Sequence, residues 1–214
     1  MKKSVLNFLN YFLGYMIVFQ FIALVLGFNQ VGIIIFSSAV TLGIALVINY
    51  KYLIQQLSDV NWKRMLINIG KYQLIIYAGN FILSMLIGMI NHNEAVNQVE
   101  IEGLVKVAPL MFAFMTCIMA PIVEELVFRY SIDGFMKKHF NKWVYILVSG
   151  LSFGLLHVIS GSISNPLDFL YVFLYGYIGC VLAYAYLEND RNLIYPIGIH
   201  FVNNLIGVII ILLV

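Results

Sequence analysis

Charge is scarce in this chain. Asp, Glu, Lys and Arg make up 10% of its 214 residues, against about 25% in a typical soluble domain. There are four prolines, two cysteines and two tryptophans. Two cysteines without metal-type spacing exclude a disulfide framework or a zinc knuckle, and read as buried thiols. No soluble domain, low-complexity tract or internal repeat is present. The ten-residue alternation of a membrane β-barrel is missing as well. What fills the chain is apolar: 62% hydrophobic residues and a mean hydropathy of +0.94. Runs of this kind are long enough to cross ~30 Å of hydrocarbon as helices of about 20 residues. Helices satisfy their own backbone in lipid. The composition predicts one all-α transmembrane domain over residues 1–214, a polytopic helical bundle.

Seven spans are expected: Phe8–Phe28, Val31–Tyr50, Leu74–Ile90, Leu104–Arg129 or slightly beyond, Trp143–Ile159, Phe169–Leu187 and Leu193–Val214. Lys2, Lys3, Lys51, Lys63, Arg64, Lys71, Lys137, Lys138 and Lys142 then fall in one set of ends. The opposite connections hold Asn29–Gln30, Glu94, Glu100, Glu102 and the uncharged 160–166 stretch. The positive-inside rule places the N-terminus in the cytoplasm of a multi-pass cell-membrane protein, with the C-terminus outside. The net charge of +2 is thus accounted for by topology, and no nucleic-acid partner is implied. The first run is too long for a signal peptide and lacks a small-residue cleavage site, so an uncleaved span is expected. Residues 51–72 have helical spacing of Leu53, Leu57, Val60, Trp62, Met65, Leu66 and Ile69, which suits a connector lying in the interface. Gly150 and Gly154 form a G-x-x-x-G that lets two helices approach closely. Trp143 reads as an interface anchor.

The polar residues inside the spans are few, and they are grouped. Glu124 and Glu125 sit side by side in the apolar stretch Val107 to Phe128, with Arg129 following. A charge at mid-bilayer costs on the order of 2.5–3.5 kcal/mol on insertion scales, so the doublet calls for a role. Glu125 and Arg129, four apart, share a helix face and can pair. Glu124 lies about 100° away around the helix and is left to point elsewhere. The fifth span carries Phe153 and His157, and the seventh His200 and Asn204, with Asn203 beside it. At a rise of ~1.5 Å per residue, Glu124 lies about 20 Å from Lys137, His157 about 22 Å from Lys142 and Asn204 about 20 Å from Arg191. Three helices therefore bring polar groups to one level. A carboxylate and an imidazole around one water can withdraw its proton, and a second imidazole and an amide can donate to a developing oxyanion. This inventory fits amide hydrolysis without a covalent intermediate.

Read in order, Glu124-Glu125-Leu126-Val127-Phe128-Arg129, Phe153-Gly154-Leu155-Leu156-His157 and His200-Phe201-Val202-Asn203-Asn204 give E-E-x-x-x-R, F-x-x-x-H and H-x-x-x-N. Residues 104–214 thereby resemble the CPBP (CAAX-processing and bacteriocin-processing, or Abi) intramembrane proteases, relatives of the CAAX prenyl endopeptidases. The resemblance implies a catalytic core at 104–214, with 1–103 supplying N-terminal spans and the interfacial segment. It implies Glu124 as the water-activating carboxylate, assisted by His157, and His200 and Asn204 as oxyanion stabilisers. Glu125, Arg129 and Phe153 are then supporting residues. The substrate would be a peptide or membrane protein in the lipid bilayer, entering among the fourth to seventh spans from the cytoplasmic side. No cofactor is expected. The alternative is zinc on Glu124, His157 and His200, a His₂Glu set, although no H-E-x-x-H occurs. Two other classes stay open: a non-enzymatic bacteriocin-immunity protein, and a proton-coupled transporter, whose usual paired broken helices are not seen. Gly150-Leu151-Ser152-Phe153-Gly154 matches G-x-S-x-G but falls inside a span, where a nucleophile elbow has no place. His92 and His139 read as solvated, and Asp133 and Asp168 as span-end residues with no special role.

Overall fold

A computed structural model describes residues 1–137 and 139–213, without the side chains of 97 and 160–164. Lys138 and Val214 lie outside the described residues. The described chain is helical with no strand. We number eight helices: α1 Lys2–Val25, α2 Gln30–Ser58, α3 Trp62–Gly88, α4 Val96–Val107, α5 Pro109–Met136, α6 Lys142–Ser164, α7 Pro166–Glu188 and α8 Ile194–Leu213. By length and composition, α1, α2, α5, α6, α7 and α8 can cross a membrane. Helix α3 has 27 residues but carries Lys71, Gln73 and Asn80. Gln73 donates to the Ile199 carbonyl at 2.7 Å inside the bundle, and Lys71 pairs with Glu188 at 2.8 Å at its surface.

Local chemistry sets the boundaries. Gly27, at φ 81°, ends α1 in a left-handed turn that residues with a Cβ avoid. Asn29 caps α2 by accepting from the Gly32 N–H at 2.8 Å, and Asn61 caps α3 by accepting from Arg64 at 3.0 Å. These caps correct the expected interfacial helix over 51–72. Residues 51–58 prolong α2, a tight turn follows, and Trp62 onward already belongs to α3. The amphipathic spacing there is the foot of two packed helices. The fourth span likewise starts at Pro109 and not Leu104, because Ala108 before the proline leaves the helical region (φ −144°, ψ 76°). Residues 96–107 form a separate short helix, α4.

Two sets of turns gather at opposite ends of the bundle. At the basic end, Asn7 donates to Ser131 at 3.4 Å and accepts from Asn49 at 2.8 Å. Arg191 pairs with Asp133 at 3.2 Å, and Arg64 donates to the Glu188 carbonyl at 2.6 Å. Glu188 also accepts from Lys71 at 2.8 Å and from the Tyr72 hydroxyl. At the other end Asn91 donates to Asp168 at 2.9 Å, and the Tyr171 hydroxyl donates to the Asn93 carbonyl. Asp133 and Asp168 are both buried and so do have a role, pinning helix ends.

Helices α6 and α7 make the closest contact. A Cβ on Gly154 would stand 2.5 Å from the Val172 carbonyl oxygen, and one on Gly150 2.7 Å from the Cys180 backbone nitrogen. Gly176 and Gly179 face them. The G-x-x-x-G of α6 thus does seat a neighbouring helix. Cys117 and Cys180 are free thiols, and Trp143, His92 and His139 are exposed. Large apolar side chains such as Phe21, Val25, Leu74 and Leu110 point outward, as the lipid-facing surface of a bundle requires.

Candidate active site

The site begins with a defect in α5. Its backbone opens into wide π turns over Met115–Met119 and Leu126–Ser131, on either side of Glu124-Glu125. Such turns commonly mark functional positions. The first has a visible cause in Pro121. In the wide register the Ala120 N–H reaches the Met115 carbonyl, five residues back. The next donor in that ladder would be position 121, and proline has no N–H. The Thr116 carbonyl is therefore left over, and the Asn204 side chain donates to it at 2.8 Å. Asn204, expected as an oxyanion donor or equally as an interhelical hydrogen-bonding residue, has one of its two amide hydrogens engaged in closing this gap.

Beyond Pro121 the two glutamates diverge. Glu125 is fully buried and pairs with Arg129, with Nε to Oε2 at 2.8 Å and Nη2 to Oε1 at 3.1 Å. Arg129, equally buried, donates from Nη1 to Ser149 at 3.0 Å, and Ser149 in turn donates to the Phe128 carbonyl at 2.7 Å. The guanidinium carbon also stands 5.1 Å from the Phe153 ring centroid, a cation–π contact. Phe153 meets Phe128 edge-on at 5.5 Å, His157 at 4.3 Å and His200 at 5.7 Å. The supporting assignment thus has a physical form. The Glu125–Arg129 pair and Phe153 make the rigid wall against which both histidines rest.

Two backbone and side-chain acceptors orient the imidazoles. His157 Nδ1 lies 2.8 Å from the Phe153 carbonyl. A carbonyl only accepts, so Nδ1 carries the proton and Nε2 keeps its lone pair. Tyr175 stacks on the ring at 5.0 Å. His200 Nδ1 lies 3.0 Å from Glu125 Oε1, which leaves Nε2 facing Glu124 at 3.8 Å. Glu125 was expected to serve Arg129 alone, yet it also aims His200.

Glu124, Phe153, His157, His200, Asn203 and Asn204 all line one cavity of about 590 Å³, whereas Glu125 and Arg129 stand behind its wall. The cavity is not confined to the fourth to seventh spans. Tyr11 and Tyr15 of α1, Ser38 and Thr41 of α2, Tyr77 and Asn80 of α3 and Gln98 of α4 line it too. Its exposed lining residues, Tyr77, Glu94 and Ile210, lie toward the end remote from the basic turns. The basic end, from which entry was expected, is crossed by the hydrogen bonds of Asn7 and Asn49 and by the Asp133–Arg191 ion pair. Among the described residues, no three His, Cys, Asp or Glu side chains are placed to hold a metal ion. The Glu124, His157 and His200 donor set for zinc is not assembled in this geometry.

Residues 106–206 match the family model of the type II CAAX prenyl endopeptidases, Rce1-like. Over that stretch the chain is similar to these endopeptidases. The matched stretch contains all three motifs and every side chain expected at the site. An uncharacterized protein of Mycoplasma capricolum subsp. capricolum is 30% identical over 145 residues, 64% of this chain and 40% of that protein. A Bacillus subtilis protein named "Putative membrane peptidase YdiL" is 29% identical over 116 residues, 54% of this chain and 43% of that protein. The chain thus spans less than half the length of these relatives. No solved structure matches it. The Rce1-like likeness is to membrane proteases, and the helices make this a multi-pass membrane protein.

Proposed function

We propose that the chain is an intramembrane endopeptidase that hydrolyses a peptide bond with water activated by Glu124. One observation carries the reading: an acid, two imidazoles and an amide, from three helices of an apolar bundle, line one cavity large enough for an extended peptide. A carboxylate so placed is costly to maintain in a membrane protein without a use.

In this reading water lies between Glu124 and the Nε2 lone pair of His157. Glu124 takes a proton from the water, His157 holds the second hydrogen, and the oxygen attacks the peptide carbonyl carbon. The carbonyl π pair moves onto oxygen. His200 Nε2, donating when the ring carries its second proton, and the free amide hydrogen of Asn204 stabilise that oxyanion. The tetrahedral adduct then collapses, the C–N bond breaks, and the leaving nitrogen takes the proton held by Glu124. The apolar bundle around the site strengthens the charge interactions along this path. Glu125 and Arg129 act through His200, fixing its ring by a hydrogen bond and offsetting one buried charge with the other. No step is routed through a metal.

The substrate is a peptide or a membrane protein with a cleavable segment near the bilayer. It reaches the cavity from the end bearing Glu94 or from the lipid-facing flank at Tyr77 and Ile210. With the basic turns in the cytoplasm of a cell-membrane protein, that end faces outward. The test is comparative peptidomics of cells carrying the parent chain or Glu124→Gln. A set of peptides lost only in the variant supports hydrolysis; identical peptidomes with retained phenotype would overturn it.

A further inference from the structure

The N-terminal helices carry none of the three motifs, yet one of their side chains reaches the acid. Tyr11 of α1 lies in a wide π-helical stretch, Leu9–Val18. It is buried at 7% exposure and lines the same cavity as Glu124. Its ring stacks on Tyr15 at 5.5 Å and meets Phe128 edge-on at 6.3 Å. Phe128 stands four residues after Glu124 on α5, so the two share a face. The ring of Tyr11 therefore packs about one helical turn from the position of the carboxylate, on the wall of the cavity that both line.

Two neighbours fix the height of Tyr11. Asn7, one turn earlier on α1, is tied to Ser131 and Asn49, and the adjacent Asn10 donates to the Thr41 carbonyl at 2.9 Å. The hydroxyl differs from those of several other buried or half-buried tyrosines. Tyr72, Tyr145, Tyr177 and Tyr195 each donate to a protein oxygen. Among the described residues the Tyr11 hydroxyl has no such partner, and it is not among the side-chain atoms sealed from solvent without one. A buried phenol normally finds a hydrogen bond, so the partner of this one belongs in the cavity.

We infer that Tyr11 is a further catalytic residue, whose hydroxyl donates a hydrogen bond to the attacking oxygen held on Glu124. The phenol keeps its proton throughout, and the water's proton goes to Glu124 as described above. The hydrogen bond holds the oxygen between the carboxylate and the scissile carbonyl. The inference rests on the proposed hydrolysis, and it places part of the reaction centre outside the segment 106–206.

The test uses the full chain in detergent micelles and a panel of apolar peptides bearing a fluorophore and quencher, with Glu124→Gln as the blank. Tyr11→Phe keeps the ring and its packing, and its melting curve should overlay that of the parent. Loss of one donor should lower kcat about tenfold, with KM within about twofold. A fluorinated tyrosine at position 11, whose hydroxyl ionises at lower pH, should move the alkaline limb of kcat downward, a response that a packing role would not give. Glu124-dependent cleavage with unchanged kcat in Tyr11→Phe, or a change in KM alone, overturns the assignment. If no peptide is cut in a Glu124-dependent way, the hydrolytic reading itself falls, and that failure is seen in the parent before Tyr11 is altered.

Discussion

Removing Arg129 while leaving Glu125 in place is the sharpest test of how the site is held. Both side chains are fully buried, and Arg129 is held by two contacts to Glu125, one to Ser149 and a ring contact to Phe153. Arg129→Met has a similar length and keeps the packing, but strands a carboxylate in a water-free wall. Breaking one partner of a buried pair costs about 3–5 kcal/mol, whereas replacing both with neutral groups of similar volume is near neutral. We therefore expect Arg129→Met to lose about 3–5 kcal/mol and Glu125→Gln/Arg129→Met to recover most of it. Unfolding in mixed micelles, followed by helical circular dichroism across the four members of the double-mutant cycle, measures the coupling. Activity should separate from stability: the double variant stays folded but aims His200 with a neutral amide oxygen, a weaker acceptor than the carboxylate, so cleavage stays below that of the parent. A double variant as unstable as Arg129→Met, or an Arg129→Met loss under about 1 kcal/mol, would refute the view that the pair matters through charge compensation.

The other predictions concern single side chains. Glu124→Gln should reduce cleavage about 10²–10⁴-fold, as expected for loss of a general base, with little change in melting, because the contact of Glu124 with the His200 ring is long, at 3.8 Å. Asn204→Ala should cost about 1–3 kcal/mol by stranding the Thr116 carbonyl. Pro121→Ala added to it should restore part of that stability without activity, because it returns the missing backbone N–H; failure to restore would break the proline argument. Gly154→Ala should cost about 1–3 kcal/mol, since its new methyl would stand 2.5 Å from the Val172 carbonyl oxygen. It should also slow cleavage by displacing Phe153 and His157, whereas Gly43→Ala, which meets nothing within 4 Å, should do neither.

The helical membrane bundle was legible in the sequence because lipid imposes a simple rule: long apolar runs become helices. The same rule fails at edges. The lengths of α2 and α3 were underestimated because their polar feet, from Lys51 to Lys71, resemble an interface segment when hydropathy alone is read. Hydrogen bonds that bury them, such as Asn68 to Asn189 at 2.8 Å and Gln73 to the Ile199 carbonyl at 2.7 Å, are invisible in one dimension. Asp133 was passed over for the same reason, since its partner Arg191 is 58 residues away. Pro109 did carry a legible stop signal, and it divides the expected fourth span.

Periodicity could bring the members of the site to one cavity but could not assign them partners. Spacing of four paired Glu125 with Arg129 and set Glu124 apart, because those relations lie within one helix. The Glu125–His200 contact joins residues 75 apart, and only the crossing of α5 and α8 makes it. Pro121 could have been noticed, since a proline three residues before Glu124 changes which carbonyls are free. Tyr11 offers no comparable signal: aromatic residues are common in every span, and its distinction is an unengaged hydroxyl that appears only once α1 is packed on Phe128. The residues of the candidate site are thus written in short motifs on three helices. The height, tautomer and enclosure that give those residues their chemistry come from helices whose sequences look like ordinary membrane spans.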